Sequence, residues 1–209
     1  MVMKTKNIVQ MLVSVTIMGM CISLLSMTQF GTDPGSAMNY GMARMLGLTF
    51  GTYQLTFYVA LLIVVVLIDR TLIGPGTFGN MILIGFSADF MTWMLKKFGI
   101  TQIHTLPMRV GVMIPALIIF VLAASVYLNS DLGMAPYDAV PYLVHKKLCA
   151  KTGKKIKFRI VRMAYDGLVA LFAFCIKGEV GVITALMVIS LGPSIDMVDK
   201  LLHPQKYKQ

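Results

Sequence analysis

Nine acidic residues are scattered through a chain that is 57% hydrophobic and only 13% charged. A carboxylate at the centre of a bilayer costs about 2.5–3.5 kcal/mol on insertion scales, so such groups face a cavity or a partner. Four charged positions stand out. Asp33 directly precedes Pro34, and Asp138 follows Pro136 by two residues. Pro suits the first turn of a helix, and the N-terminus of a helix favours anions. Arg162 and Asp166 are four apart, a spacing that puts them on one helix face. Such groups can bind a small polar or anionic solute, with Arg162 receiving the anion and Asp166 holding the guanidinium. An intramembrane Asp can also carry a coupling proton. Plainer roles stand beside these: a helix cap for Asp33 and Asp138, an intrahelical ion pair for Arg162 and Asp166. Asn39, Gln54 and Asn80 are uncharged polar residues in apolar surroundings, able either to line a polar site or to hydrogen-bond between helices. Tyr40 is a similar candidate.

The elements that must position these residues are helices in lipid. A soluble domain has roughly 25% charged residues, about twice the proportion here. About 20 apolar residues cross a bilayer. Six stretches qualify, near 8–30, 51–69, 76–95, 109–129, 160–177 and 180–200. The first is longer than the apolar region of a signal peptide and has no small-x-small cleavage site after it, so it reads as a retained helix. Segments 34–46 and 136–148 are too short to cross and open on Gly and Pro. They are expected to be re-entrant or interfacial half-helices, since broken backbone at membrane depth needs protein or a wet cavity to satisfy it. The spacing of Gly47 and Gly51 points to close helix packing.

The chain repeats itself. Residues 31–42 align with 133–144 at a shift of 102, matching Gly31 with Gly133, Pro34 with Pro136 and Tyr40 with Tyr142. Residues 58–95 align with 165–202 at a shift of 107, matching Tyr58 with Tyr165, Gly74 with Gly181, Thr77 with Thr184 and Asp89 with Asp196. The change of shift falls in the Lys-rich stretch 146–157. Three crossings per copy would give the second copy the opposite orientation, as in many transporters. One membrane domain, 1–209, is expected, with repeat 1 at about 8–97 and repeat 2 at about 108–202. Asp89 and Asp196, near the ends of the third and sixth segments, are expected at the interface.

The net charge of +10 has the same origin. With the N-terminus in the cytoplasm, only Arg44, Lys96, Lys97, Arg109 and Lys177 of the 19 basic residues fall outside. That asymmetry sets both termini and the 146–159 loop inside. The loop is expected to touch anionic headgroups. No aromatic-basic module or zinc spacing supports nucleic-acid binding. Cys21, Cys149 and Cys175 form no CxxC pair, the three His share no ligand spacing, and the 18 Met form no copper-type array, so no cofactor or metal is expected. No GxSxG, HExxH or Walker loop is present, and nothing argues for an enzyme.

Gly31-Thr-Asp-Pro34-Gly-Ser-Ala-Met, Gly51-Thr and Gly74-x-Gly-Thr77 resemble the YczE/YyaS/YitT group of bacterial membrane proteins. In the second copy Asp131-Leu-Gly-Met-Ala-Pro136-Tyr-Asp138-Ala, Arg159-Ile-Val-Arg162 with Asp166, and Gly181-x-x-Thr184 carry the same likeness, which extends over nearly the whole chain. Pro75, inside the Gly-x-Gly turn, and the long basic loop depart from the group's pattern. The resemblance implies a multi-pass protein of the bacterial plasma membrane and supplies no substrate.

The expectation is therefore an all-α polytopic membrane protein of six transmembrane helices in two inverted three-helix repeats, each with a short half-helix. Its expected function is secondary transport of a small polar or anionic solute. The expected solute contacts are Asp33, Asn39, Gln54, Asn80, Asp138, Arg162 and Asp166. The lipid bilayer is its constant partner, and a homo-oligomer stays open. A substrate-capture subunit of a larger importer and a non-transporting scaffold or assembly factor are the alternatives.

Overall fold

The computed structural model describes residues 5–130, 132–153, 156–190 and 193. Those residues form helices and connecting turns, without a strand among them. In chain order the helices are α1 (Thr5–Thr28), α2 (Pro34–Leu46), α3 (Phe50–Asp69), α4 (Pro75–Lys97), α5 (Leu106–Leu128), α6 (Pro136–Thr152) and α7 (Phe158–Cys175), with a single 3₁₀ turn at Arg70–Leu72. A further helix, α8, opens at 182 and is described to 190. Asp196 lies outside the described residues.

Among the described residues, four helical segments are long and apolar enough to cross a membrane: Thr5–Thr28, Phe50–Leu72, Pro75–Lys97 and Leu106–Leu128. They match four of the six expected crossings. The fifth forms the 18-residue α7, whose Arg159, Arg162 and Asp166 make it too charged to qualify by composition. The sixth, expected at 180–200, begins with α8, and most of its second half lies outside the described residues.

The distribution of side chains suits lipid. Large apolar residues point outward, as with Leu67 at 80% exposed and Leu168 at 68%. The interior carries small and polar groups, with Thr32, Thr77, Ser125 and Thr184 fully buried. Hydrocarbon offers no hydrophobic drive between helices, so close approach and internal hydrogen bonds supply the cohesion. A methyl group added at Gly51 would lie 2.7 Å from the Gly85 carbonyl carbon, which is how near α3 comes to α4. Gly47, its partner in the small-xxx-small spacing, does something else: it ends α2 in the left-handed conformation, with its N–H on the Ala43 and Arg44 carbonyls. Asp89 is likewise structural, its Oδ2 accepting from the N–H of Gly51 at 3.0 Å in the first turn of α3.

α1 is the central helix. Met11, Val15, Met18, Ile22 and Leu25 join it to a core shared with α4 and α5. The short helices cross over between halves. α2 packs on α7, where Ala37 and Met38 meet Ala173. α6 packs on α3, where Ala139 and Leu143 meet Val65.

The turns repeat this exchange bond for bond. The N–H of Thr32 donates to Glu179 O at 3.2 Å and that of Ile183 to Phe30 O at 3.0 Å. In the other pair, the N–H of Met134 donates to Leu72 O at 3.0 Å and that of Gly76 to Leu132 O at 2.7 Å. The four residues of the second pair are the repeat-alignment equivalents of those in the first. Gly74 and Gly181 each donate to the hydroxyl three residues on, Thr77 and Thr184, both at 3.1 Å. Gly31 (φ 94°) and Gly133 (φ 104°) have left-handed backbone and lie against Gly181 and Gly74. A Cβ at either position would strike backbone, so the crossing demands glycine twice.

Candidate functional site

The N-termini of α2 and α6 converge on one cavity. Each helix starts at a Pro, so its first turn forms without losing a needed N–H. Asp33 is the N-cap of α2, and its Oδ2 accepts from the N–H of Ser36 at 3.0 Å. Its other oxygen, Oδ1, is buried and has no hydrogen-bond partner among the described residues. At α6 the cap position is Ala135, which has no side chain to cap with, and Asp138 in the first turn is turned to another purpose.

That purpose is Arg162. Its Nη2 lies 2.8 Å from Asp138 Oδ1, and its Nε lies 2.8 Å from Asp166 Oδ2. The i,i+4 pair expected from spacing is therefore one arm of a triad that joins α7 to α6. The hydroxyl of Tyr137 donates to Asp166 Oδ1 at 2.8 Å, so both oxygens of that buried carboxylate are engaged. The Tyr137 ring lies under the guanidinium, 5.8 Å from centroid to Cζ, and contacts the Tyr165 ring at 5.0 Å. Burying charges is offset only when pairing and hydrogen bonding are both good, and this triad has both.

The cavity has a volume of ≈ 80 Å³. Asp33, Ser36, Asn80, Tyr137, Asp138 and Arg162 give it a polar side, and Met18, Ile22, Tyr58, Ile84, Phe120, Ala124 and Tyr127 close it. Of the seven residues expected at a solute site, Asp33, Asn80, Asp138 and Arg162 line this space, and Asp166 backs it through Arg162. Asn39 and Gln54 do not line it. Both are buried, with Oδ1 of Asn39 and both amide atoms of Gln54 unpartnered. Tyr40 stacks on Phe50 at 4.3 Å.

Tyr137 is the main residue that the reading of the sequence passes over. A signal for it exists. In the repeat alignment Tyr137 falls opposite Gly35, and a Cβ at Gly35 would lie 3.2 Å from the Tyr137 ring. The first copy thus leaves empty the room that the second copy's tyrosine fills.

A second cavity, ≈ 430 Å³, is lined by Gly31, Tyr40, Arg44, Lys96 and Glu179, among others. Arg44 and Glu179 pair across it at 3.3 Å. At another corner of the protein Lys146 bonds Asp69 at 2.7 Å, and that carboxylate holds the ammonium above its usual range. This pins α6 to the end of α3.

The fold and these sites define an all-helical protein with several helices fit to cross a membrane. The chain belongs to the family of unknown function DUF6198, which it matches over residues 5–200. It is also similar to the "Uncharacterized protein YyaS" of Bacillus subtilis (strain 168), 24% identical over 182 residues, which are 84% of each chain. The expected resemblance to the YczE/YyaS/YitT group thus holds for YyaS. No solved structure matches the chain.

Proposed function

We propose that this protein is a secondary transporter of a small polar solute in the bacterial plasma membrane. The observation that carries this reading is the meeting of the α2 and α6 N-termini, one from each copy of the repeat, at one cavity with a polar side. Paired half-helix ends facing a site between repeats are how many secondary transporters hold their solute. Two inverted repeats, six crossings and cytoplasmic termini complete the proposal, supported by the repeat alignment and the basic-residue asymmetry. The crossed segment 30–33 borders two cavities, Gly31 lining the larger and Asp33 the smaller. The test is uptake of a solute library into proteoliposomes. A solute carried by the protein and not by empty vesicles supports transport. An ATPase that co-purifies stoichiometrically, with no uptake by the protein alone, favours the importer-subunit alternative.

A further inference from the structure

The charge balance of the cavity narrows the solute class. Three carboxylates, Asp33, Asp138 and Asp166, stand against one guanidinium and two helix N-termini of about +0.5 charge each, which leaves the cavity about one charge negative. Arg162 already has two of them at 2.8 Å and is not free to receive an anion. Among the described residues, two buried acceptors at the cavity are left without partners, Asp33 Oδ1 and Asn80 Oδ1. Asn80 is only 2% exposed and projects from α4 into this space. A buried acceptor without a donor is destabilising, so a ligand that brings donors and positive charge relieves it. The remaining wall is aromatic and aliphatic, from Tyr58, Phe120 and Tyr127 to Met18 and Ile84. Aromatic faces attract organic cations.

We infer that the cavity binds a small protonated amine, with the ammonium on Asp33 and Asn80 and the carbon end against the aromatic wall. This rests on the reading of the cavity as a solute site. An ammonium has three donors and no acceptor, which suits the unpartnered Asp33 oxygen and the Asn80 carbonyl. By the same measure a single water needs about 10–15 Å³, so ≈ 80 Å³ is room for a small solute.

The experiment is calorimetric titration of the purified protein with methylammonium chloride, with sodium chloride, sodium acetate and urea as controls. Asp33→Asn and Asn80→Ala are titrated alongside. Asn caps a helix as well as Asp does, so Asp33→Asn removes the charge and keeps α2. Saturable methylammonium binding is expected, weakened at least about ten-fold in Asp33→Asn through loss of a charge-assisted bond. Acetate or urea binding that Asp33→Asn abolishes would overturn the amine and leave the solute site standing. Methylammonium binding that both variants leave unchanged would overturn the assignment to this cavity. No binding of methylammonium to the folded wild-type protein would overturn the amine class. Transport is read separately by flux: amine binding without flux would keep the site and end the transporter reading.

Discussion

Arg162 reaches Asp138, Nη2 to Oδ1 at 2.8 Å, across the gap between α7 and the first turn of α6. The same guanidinium holds Asp166 on its own helix. One side chain thus fixes the angle of a helix start and neutralises part of a cluster that would otherwise repel itself.

Arg162→Gln should therefore unfold the site rather than mute it. Removing one partner of a buried ion pair leaves unpaired charge and costs about 3–5 kcal/mol. Thermal melts in detergent check this, and Arg162→Lys should recover only part of the loss. A lysine ammonium cannot reproduce the planar fork that serves two carboxylates.

Tyr137→Phe isolates one bond, the hydroxyl to Asp166 Oδ1. Hydrogen bonds to charged groups contribute about 1.5–3 kcal/mol, and the ring packing against Tyr165 survives the change. The variant should insert normally and melt earlier by that amount. An unchanged melt would mean that water replaces the hydroxyl.

From the sequence alone, Arg162 looked free to receive a solute because Asp138 lies 24 residues away along the chain and nothing local pairs them. Contacts at i,i+4 are legible in spacing; contacts between helices are not. For the same reason Gln54 and Asn80 read alike as polar residues in apolar helices, yet only Asn80 lines the cavity. The half-helices were legible, because Gly and Pro mark their starts and α2 spans the expected 34–46. α6 runs on to Thr152, four residues past the expected end, until Gly153 in the left-handed conformation stops it. The role of Asp89 was hidden too, since its partner is the Gly51 N–H on a neighbouring helix.

The crossed turns make a paired prediction. Gly31→Ala and Gly133→Ala should destabilise to similar degrees, because both sit at left-handed φ against a glycine of the other copy. The backbone strain alone is about 1–3 kcal/mol at each. Melts of both variants check it. A large loss at one and none at the other would show that the two crossings do not bear equal load.

Orientation is tested with single cysteines in a background without the native three. Lys151→Cys should be protected from an impermeant thiol reagent added outside, and Lys97→Cys should react. The basic-residue asymmetry underlies this expectation. Reaction at position 151 from outside would invert the assignment.

The most direct measurement is current across a solid-supported membrane carrying proteoliposomes. A jump in methylammonium concentration at mildly acidic pH, where the amine stays protonated, should evoke a saturable transient current with wild-type protein. Protein-free vesicles and Asp33→Asn should give none. Equal currents from wild type and Asp33→Asn, or no protein-dependent flux of any solute in the library, would contradict the account.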